Sequence, residues 1–261
     1  ARVLRLHPLV SSEIGDYDVE RILTYGSLPA IYDSDEPWQD LKAYSGTYLK
    51  EEIAAEGAAL RLDAFSRSLH SAALYSGKQV NFEAWSSDAA VPARTVREYF
   101  SVLSDTLIGE MLEPWKSGTK RKPASTGKCY FFDIGVRNAL AGIQSIAPGT
   151  DEYGNAFEHF IYEELRAWLD YHRDDRPLTF WRTQDKKEVD FIVGDEIAIE
   201  VKAAELPQYR HLKGLIAIAD EATFKHRILV CQAPEPRLSE GIEILPVKVF
   251  LEALWADTLI E

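Results

Sequence analysis

The feature that most constrains this chain is a pair of short apolar runs, residues 188–193 and 197–201, joined by Gly194-Asp195-Glu196. A three-residue hairpin loop at that point pairs Val193 with Ile197, sets Asp190 opposite Glu200 and sets Glu188 opposite Lys202. Side chains alternate along a strand, so Val189, Phe191, Val193, Ile197, Ile199 and Val201 share one face. Asp190, Glu200 and Lys202 share the other. Two carboxylates and an ammonium on an otherwise apolar hairpin are costly to bury without a purpose. Holding a divalent cation against a phosphate group is such a purpose.

A length of 261 residues is compatible with one to three domains. The formal charge of −13 argues against a globally cationic nucleic-acid binder. A local basic stretch exists all the same, at Lys116, Lys120, Arg121, Lys122 and Lys128. No apolar run approaches the roughly 18 residues that span a bilayer, and no secretory signal opens the chain, so no membrane partner is expected. Cys129 and Cys231 are isolated and lack metal-ligand spacing, which predicts reduced, buried thiols of a cytoplasmic protein. The chain begins without Met in the strand-like run Val3–Leu6, as a fragment of a longer protein would.

Three segments are expected in an α/β chain that is α+β overall. Residues 1–60 read as a helical connector, with helices at about 17–25 and 38–59. Residues 61–146 read as a winged helix-turn-helix. Its helices are expected at 62–74, 82–90 (capped by Asn81) and 93–105, and its strands at 107–112 and 129–133. Residues 147–261 give the order α-β-β-β-α-β: a helix at 155–171, a strand at 178–182, the two hairpin strands, a helix at 206–219 and a strand at 227–231. A short strand near 242–245 and a helix at 247–255 follow. The helix at 206–219 implies a right-handed crossover.

In the winged module, Arg94, Thr95 and Arg97 are the exposed polar groups of the third helix, diluted by Glu98 and Asp105. With Lys116, Lys120, Arg121 and Lys122 they form a candidate nucleic-acid-binding set, the basic wing contacting phosphates. The same residues also suit a module used for protein packing with a solvated lysine-rich loop.

The hairpin carries the candidate chemistry. Hydrolysing a phosphodiester needs an activated water, charge neutralisation at phosphorus and help for the leaving oxygen, all of which carboxylate-held Mg²⁺ or Mn²⁺ supplies. Asp190 and Glu200 are the principal candidate ligands, with the Val201 carbonyl as a neutral one, and Lys202 is placed to orient the water or stabilise the phosphorane. On the helix at 155–171, Glu158 and Glu164 fall inside the apolar arc and Glu163 points away. Glu158 is the expected third metal ligand, and Glu164 is expected to pair with a basic group. A surface hairpin with a Glu188–Lys202 cross-strand ion pair is the plainer alternative.

Asp190…Glu200-Val-Lys202 with helix-borne Glu158 resembles the PD-(D/E)XK nuclease superfamily, closest in style to archaeal Holliday-junction resolvases. Glu188-Val stands before Asp190 where that pattern commonly has a proline. A wider resemblance runs through Leu6-His-Pro-Leu9 with Glu13, Tyr25-Gly-Ser-Leu-Pro29, Tyr48-Leu-Lys50, Tyr130-Phe-Phe-Asp-Ile-Gly135, Phe157-Glu158, Phe180-Trp-Arg-Thr183 and Glu188-Val-Asp-Phe191. Their order is similar to that in prokaryotic AAA+-type ATP-binding proteins with an uncharacterised C-terminal domain. The resemblance implies an upstream ATPase module, of which residues 1–15 would be a remnant, and that module would be the partner and the route to ATP. Consistent with this, Gly77-Lys78 and Gly127-Lys128 lack the rest of a P-loop, so no ATPase activity is expected of these residues themselves. Three functions follow as alternatives: a metal-dependent nuclease, a non-catalytic DNA- or protein-binding module, and a regulatory or assembly region of the ATPase, each compatible with an oligomer.

Overall fold

The computed structural model describes residues 4–48, 61–117 and 126–260. The helices are α1 (Ser11–Ile14), α2 (Val19–Tyr25), α3 (Pro29–Tyr32), α4 (Pro37–Ala43), α5 (Leu62–Leu74), α6 (Phe82–Ala89), α7 (Ala93–Asp105), α8 (Ile134–Ala141), α9 (Asp151–His172), α10 (Lys213–Ile218) and α11 (Val247–Trp255). The strands are β1 (Gly109–Pro114), β2 (Lys128–Phe131), β3 (Leu178–Arg182), β4 (Glu188–Val193), β5 (Ile197–Val201), β6 (His226–Cys231), β7 (Arg237–Ser239) and β8 (Ile242–Pro246). Helices come first and a mixed sheet follows, so the chain is mixed α/β. It divides into two units, Tyr17–Met111 with Lys128–Ile146, and Ala1–Asp16 with Leu112–Gly127 and Ala147–Glu261.

In the unit of residues 17–111 and 128–146, side-chain caps start α2 and α6. Asp18 accepts from the amides of Glu20 and Arg21, and Asn81 from those of Glu83 and Ala84. α5, α6 and α7 bury Phe65, Leu69, Trp85, Val96, Tyr99 and Leu103 in one core that also takes in Ile31 and Leu41. The segment expected as a connector thus shares a core with the three helices. The helix expected at 38–59 is α4 running into a π-helical stretch, Tyr44–Tyr48, and its remainder lies outside the described residues.

Two motifs of the family resemblance meet in this unit. Asp133 is fully buried and accepts from the Val136 amide at 2.8 Å, capping α8, and from the Ser27 amide at 3.0 Å. A Cβ on Gly26, whose φ is +72°, would collide with the Asp133 carboxylate, and one on Gly135 would collide with the Tyr25 carbonyl. Asn138 closes the joint by donating to the Leu23 and Thr24 carbonyls at 2.9 Å each. α8 was not expected; Asp133 is its N-cap and not the end of a strand.

In the other unit the strands lie in the order β1-β3-β4-β5-β6-β8-β7. β3–β4–β5 is an antiparallel meander, β5–β6–β8 is parallel and β7 returns antiparallel. The order α9-β3-β4-β5-α10-β6 realises the expected α-β-β-β-α-β. β5 is buried along its whole length because both sheet faces are covered. α9 lies against one face, with Tyr162 and Phe191 rings 6.3 Å apart. α10 adds Leu215 and Ile218 to the cluster holding Ile192, Ala198 and Leu229. The helix expected at 206–219 is shorter, a 3₁₀ turn at Tyr209–Leu212 continuing into α10.

The strand expected at Val3–Leu6 is absent over the described residues 4–6. Leu4 and Leu6 are 70% and 87% exposed, and the segment is fixed instead by His7 Nε2, 2.7 Å from Asp170.

Candidate functional site

The hairpin forms in the expected register: Val193 pairs with Ile197, Ile192 with Ala198 and Phe191 with Ile199. One step further along, Asp190 and Glu200 are both buried. Asp190 Oδ2 accepts from the Val201 amide at 2.8 Å, which locks the carboxylate to the next strand. Lys202 bridges the pair, its Nζ 2.7 Å from Glu200 Oε1 and 3.5 Å from Asp190 Oδ2, and it also donates to the Val201 carbonyl at 2.9 Å. Glu188 pairs with Arg182 at 2.8 Å.

Burial pushes the Glu200 carboxyl well above the usual carboxylate range, and the Asp190 charge adds to this while Lys202 opposes it. Burial would lower Lys202, but the charges of Asp190 and Glu200 outweigh it and hold the ammonium protonated. One atom has no such compensation: Glu200 Oε2 is buried without a hydrogen-bond partner. A buried carboxylate oxygen in that condition is costly and marks a place where a further cation or donor fits.

α10 reaches this site through Gly214. A Cβ there would run into the Glu188 carbonyl, 3.0 Å from its carbon, and would lie 3.4 Å from Glu200 Oε2. The preceding 3₁₀ turn brings His211 within the field of Lys202; burial first, then Arg210 and Lys202, lower its pKa. The imidazole sits between the Gln208 amide, 3.2 Å from Nδ1, and Arg210 Nε, 3.1 Å from Nε2. A neutral ring accepts from only one of them. Gly214 and His211 were missed in the sequence; a glycine inside a helical run beside a charged hairpin was the available signal.

The remaining candidates divide. The charge of Glu158 is felt at Lys202. Among the described residues, however, no group of three His, Cys, Asp or Glu side chains is placed to hold a metal ion, so Glu158 does not complete a three-carboxylate set. Glu164 has no basic partner of the expected kind: its oxygens accept from the Ser11 amide at 2.7 Å, the Ser11 hydroxyl at 2.9 Å and Trp255 Nε1 at 2.6 Å. Glu163, expected to point away, is buried with His159 Nε2 3.5 Å from it, because α9 is covered nearly all round.

In the candidate nucleic-acid set, Arg94 pairs with Glu98 at 3.2 Å, and Arg97 pairs with Glu83 at 3.0 Å while lying over the Phe82 ring. Lys116 is exposed, Lys120, Arg121 and Lys122 lie outside the described residues, and Lys128 is buried in β2 rather than part of a basic surface. Both cysteines are free and buried, with the Cys129 thiol pushed up to about 12 by burial. No described helix is long and apolar enough to cross a membrane.

The model for the Domain of unknown function (DUF8612) matches residues 16–147, half of the chain. The chain belongs to the DUF8612 family. Residues 153–250, which carry the hairpin, are similar to the Domain of unknown function (DUF4143). Over 215 residues the chain is 26% identical to the uncharacterized protein Rv2008c of Mycobacterium tuberculosis (strain ATCC 25618 / H37Rv). It is equally similar to the uncharacterized protein Mb2031c of Mycobacterium bovis (strain ATCC BAA-935 / AF2122/97). The alignment takes in 78% of this chain and 47% of each relative, so the chain spans about half the length of the curated relatives it matches. No solved structure matches.

Proposed function

We propose that the β4–β5 hairpin is a phosphodiester-processing site of nuclease type, dependent on Mg²⁺ or Mn²⁺. The observation that carries the reading is the buried Glu200 Oε2 without a partner, beside a second buried carboxylate and within reach of a lysine. The donor set is of the right kind: magnesium is commonly held by one or two carboxylates, with waters and substrate phosphates completing its shell. Asp190 and Glu200 would hold the ion, with the Val201 carbonyl as a third donor once Lys202 turns from it. A bound ion would supply charge neutralisation at the phosphoryl group and a water of lowered pKa. Lys202 then faces the phosphate, where its charge stabilises the developing oxyanion. As part of the same proposal, a remainder of the longer protein contains the ATPase that powers or gates this site, and the whole acts in the cytoplasm.

The test is calorimetric titration with Mn²⁺, alongside incubation of the protein with labelled single-stranded, duplex and junction DNA. Metal binding that is lost in Asp190→Asn and Glu200→Gln, with cleavage lost in those variants and in Lys202→Ala, is the expected result. Absence of both metal binding and cleavage in the unaltered protein overturns the catalytic reading.

A second reading has its own observation. Lys202 already closes on both carboxylates and on the Val201 carbonyl, so the hairpin is electrostatically near completion without an added ion. On that reading the domain binds nucleic acid or protein, or regulates the ATPase, without cutting.

A further inference from the structure

The Glu200 side of the hairpin is bordered by a basic strip in an otherwise acidic chain. From Leu206 to Ala219 there is no acidic residue, while Arg210, His211 and Lys213 fall within four positions. The net charge of the whole chain is −13, so this is a local reversal of sign. Tyr209, in the same 3₁₀ turn, is 61% exposed, while Leu212 of that turn is buried in the apolar cluster. Arg210 and Lys213 are exposed beside it. The turn leads directly into α10, which is packed against the site. His211 lies within the field of Lys202, and Gly214 brings the following helix against Glu188 and Glu200.

An exposed ring flanked by cations, next to a carboxylate–lysine site, has the two elements that grip unpaired nucleic acid. A base stacks on the ring and the adjoining phosphates meet the cations. Duplex DNA offers phosphates but no free base face. We propose that Tyr209, Arg210 and Lys213 form a binding strip for an unpaired nucleotide of a nucleic-acid strand. The inference rests on the phosphodiester reading of the hairpin for its ligand class. It adds a recognition element, and a preference for single-stranded substrate, that the hairpin does not specify.

Fluorescence anisotropy with a labelled thymidine 15-mer and the corresponding duplex, in EDTA at low salt, tests it without any cleavage. The single strand is expected to bind more tightly than the duplex, with affinity falling linearly on a log–log plot against salt. Tyr209→Ala weakens single-strand binding about 5- to 140-fold, the equivalent of roughly 1–3 kcal/mol per stacked base, while Tyr209→Phe retains it. Arg210→Ala and Lys213→Ala each lower the salt slope by about 0.7. Equal binding by the unaltered protein and Tyr209→Ala overturns the strip. So does a polyglutamate peptide that competes as well as the oligonucleotide at equal charge, since it would mark the strip as a docking surface for acidic protein. Single-strand binding that persists in a protein without metal affinity or cleavage refutes the catalytic reading alone. Cleavage with an unchanged KM in Tyr209→Ala refutes the strip alone.

Discussion

Gly214→Ala is the sharpest test of how the site is assembled, because two effects of known sign oppose each other. In an unconstrained helix interior, alanine is favoured over glycine by about 1 kcal/mol. At Gly214 the added Cβ would meet the Glu188 carbonyl, with its carbon 3.0 Å away and its oxygen nearer still. That group belongs to the main chain of β4, where Glu188 pairs with Arg182 of β3, so it cannot swing aside as a flexible side chain would. α10 must retreat, loosening Leu215 and Ile218 from the sheet cluster, and overpacking of this kind costs about 1–3 kcal/mol and occasionally more. The retreat also disturbs Glu200, whose Oε2 lies 3.4 Å from the same Cβ. Gly154, in α9 of the same unit, has nothing within 4 Å of its Cβ and serves as the control. Urea titrations followed by hydrogen exchange of the β4 and β5 amides confine the measurement to the unit that contains both glycines. Gly154→Ala is expected to stabilise by up to about 1 kcal/mol, and Gly214→Ala to destabilise by about 1–3 kcal/mol. If Gly214→Ala stabilises as Gly154→Ala does, α10 does not press on β4 and the proposed construction of the site is wrong.

Glu164 gives a pH signature. Burial raises its carboxyl from 4.5 to about 7, so the folded state holds its proton more tightly than the unfolded chain does. The contribution of this group is therefore most favourable at low pH and is lost as pH rises from about 4.5 through 7, amounting at most to about 3 kcal/mol. Denaturation midpoints of the unaltered protein and Glu164→Gln from pH 4.5 to 8 should diverge in that direction, and parallel curves would refute the assignment. Lys202→Met strands two buried carboxylates. Breaking a buried pair costs about 3–5 kcal/mol, but about a third of the Lys202 side chain is exposed, so about 2–3 kcal/mol is expected at pH 8. The loss should shrink as the pH falls and Glu200 takes up a proton; a loss independent of pH counts against the raised Glu200 carboxyl. Asp133→Ala removes the cap of α8 and the acceptor for Ser27, a loss of about 2–4 kcal/mol that thermal melts would read. A melting point within 2 °C of the unaltered protein, the shift of less than about 1 kcal/mol in a chain of this size, would contradict it.

How much of this was legible in the sequence depended on whether a signal was local. The hairpin register followed from a three-residue loop and alternating side chains, and α7 followed from its inward-facing Val96, Tyr99, Phe100 and Leu103 after the Val91-Pro92 break. The apolar alternation at the start of the chain misled, because alternation predicts a strand only where a neighbour supplies the ladder. The helix at 134–141 was hidden because Asp133 ends an apolar run and caps the next element at once. Lys128 looked like one more surface cation, and only the closure of β2 against Gln79 placed it inside. The π-helical turn at Tyr44–Tyr48 has no signature in composition at all.

The motifs behind the family resemblance also separate on physical grounds. Tyr25-Gly-Ser-Leu-Pro29 and Tyr130-Phe-Phe-Asp-Ile-Gly135 have a sufficient structural reason to exist. Gly26 and Gly135 permit a close approach that Asp133 and Asn138 then bolt with main-chain hydrogen bonds. Leu6-His-Pro-Leu9 with Glu13 is likewise accounted for by His7 on Asp170 and by Glu13 accepting from the Val10 amide at 3.0 Å. These motifs therefore support the fold and are neutral about chemistry. The hairpin is different. An apolar pair at 190 and 200 would satisfy β4–β5 packing without the desolvation of two carboxylates and without an unsatisfied oxygen. Lys202 offsets part of that cost but leaves Glu200 Oε2 unpaired, so stability alone does not explain the residues chosen. That surplus of buried charge makes Asp190, Glu200 and Lys202 the part of the molecule where function is to be sought. It also makes the triple variant Asp190→Asn/Glu200→Leu/Lys202→Met informative: it removes the whole charge set while leaving an acceptor at 190 for the Val201 amide, and a functional origin predicts a protein at least as stable as the original.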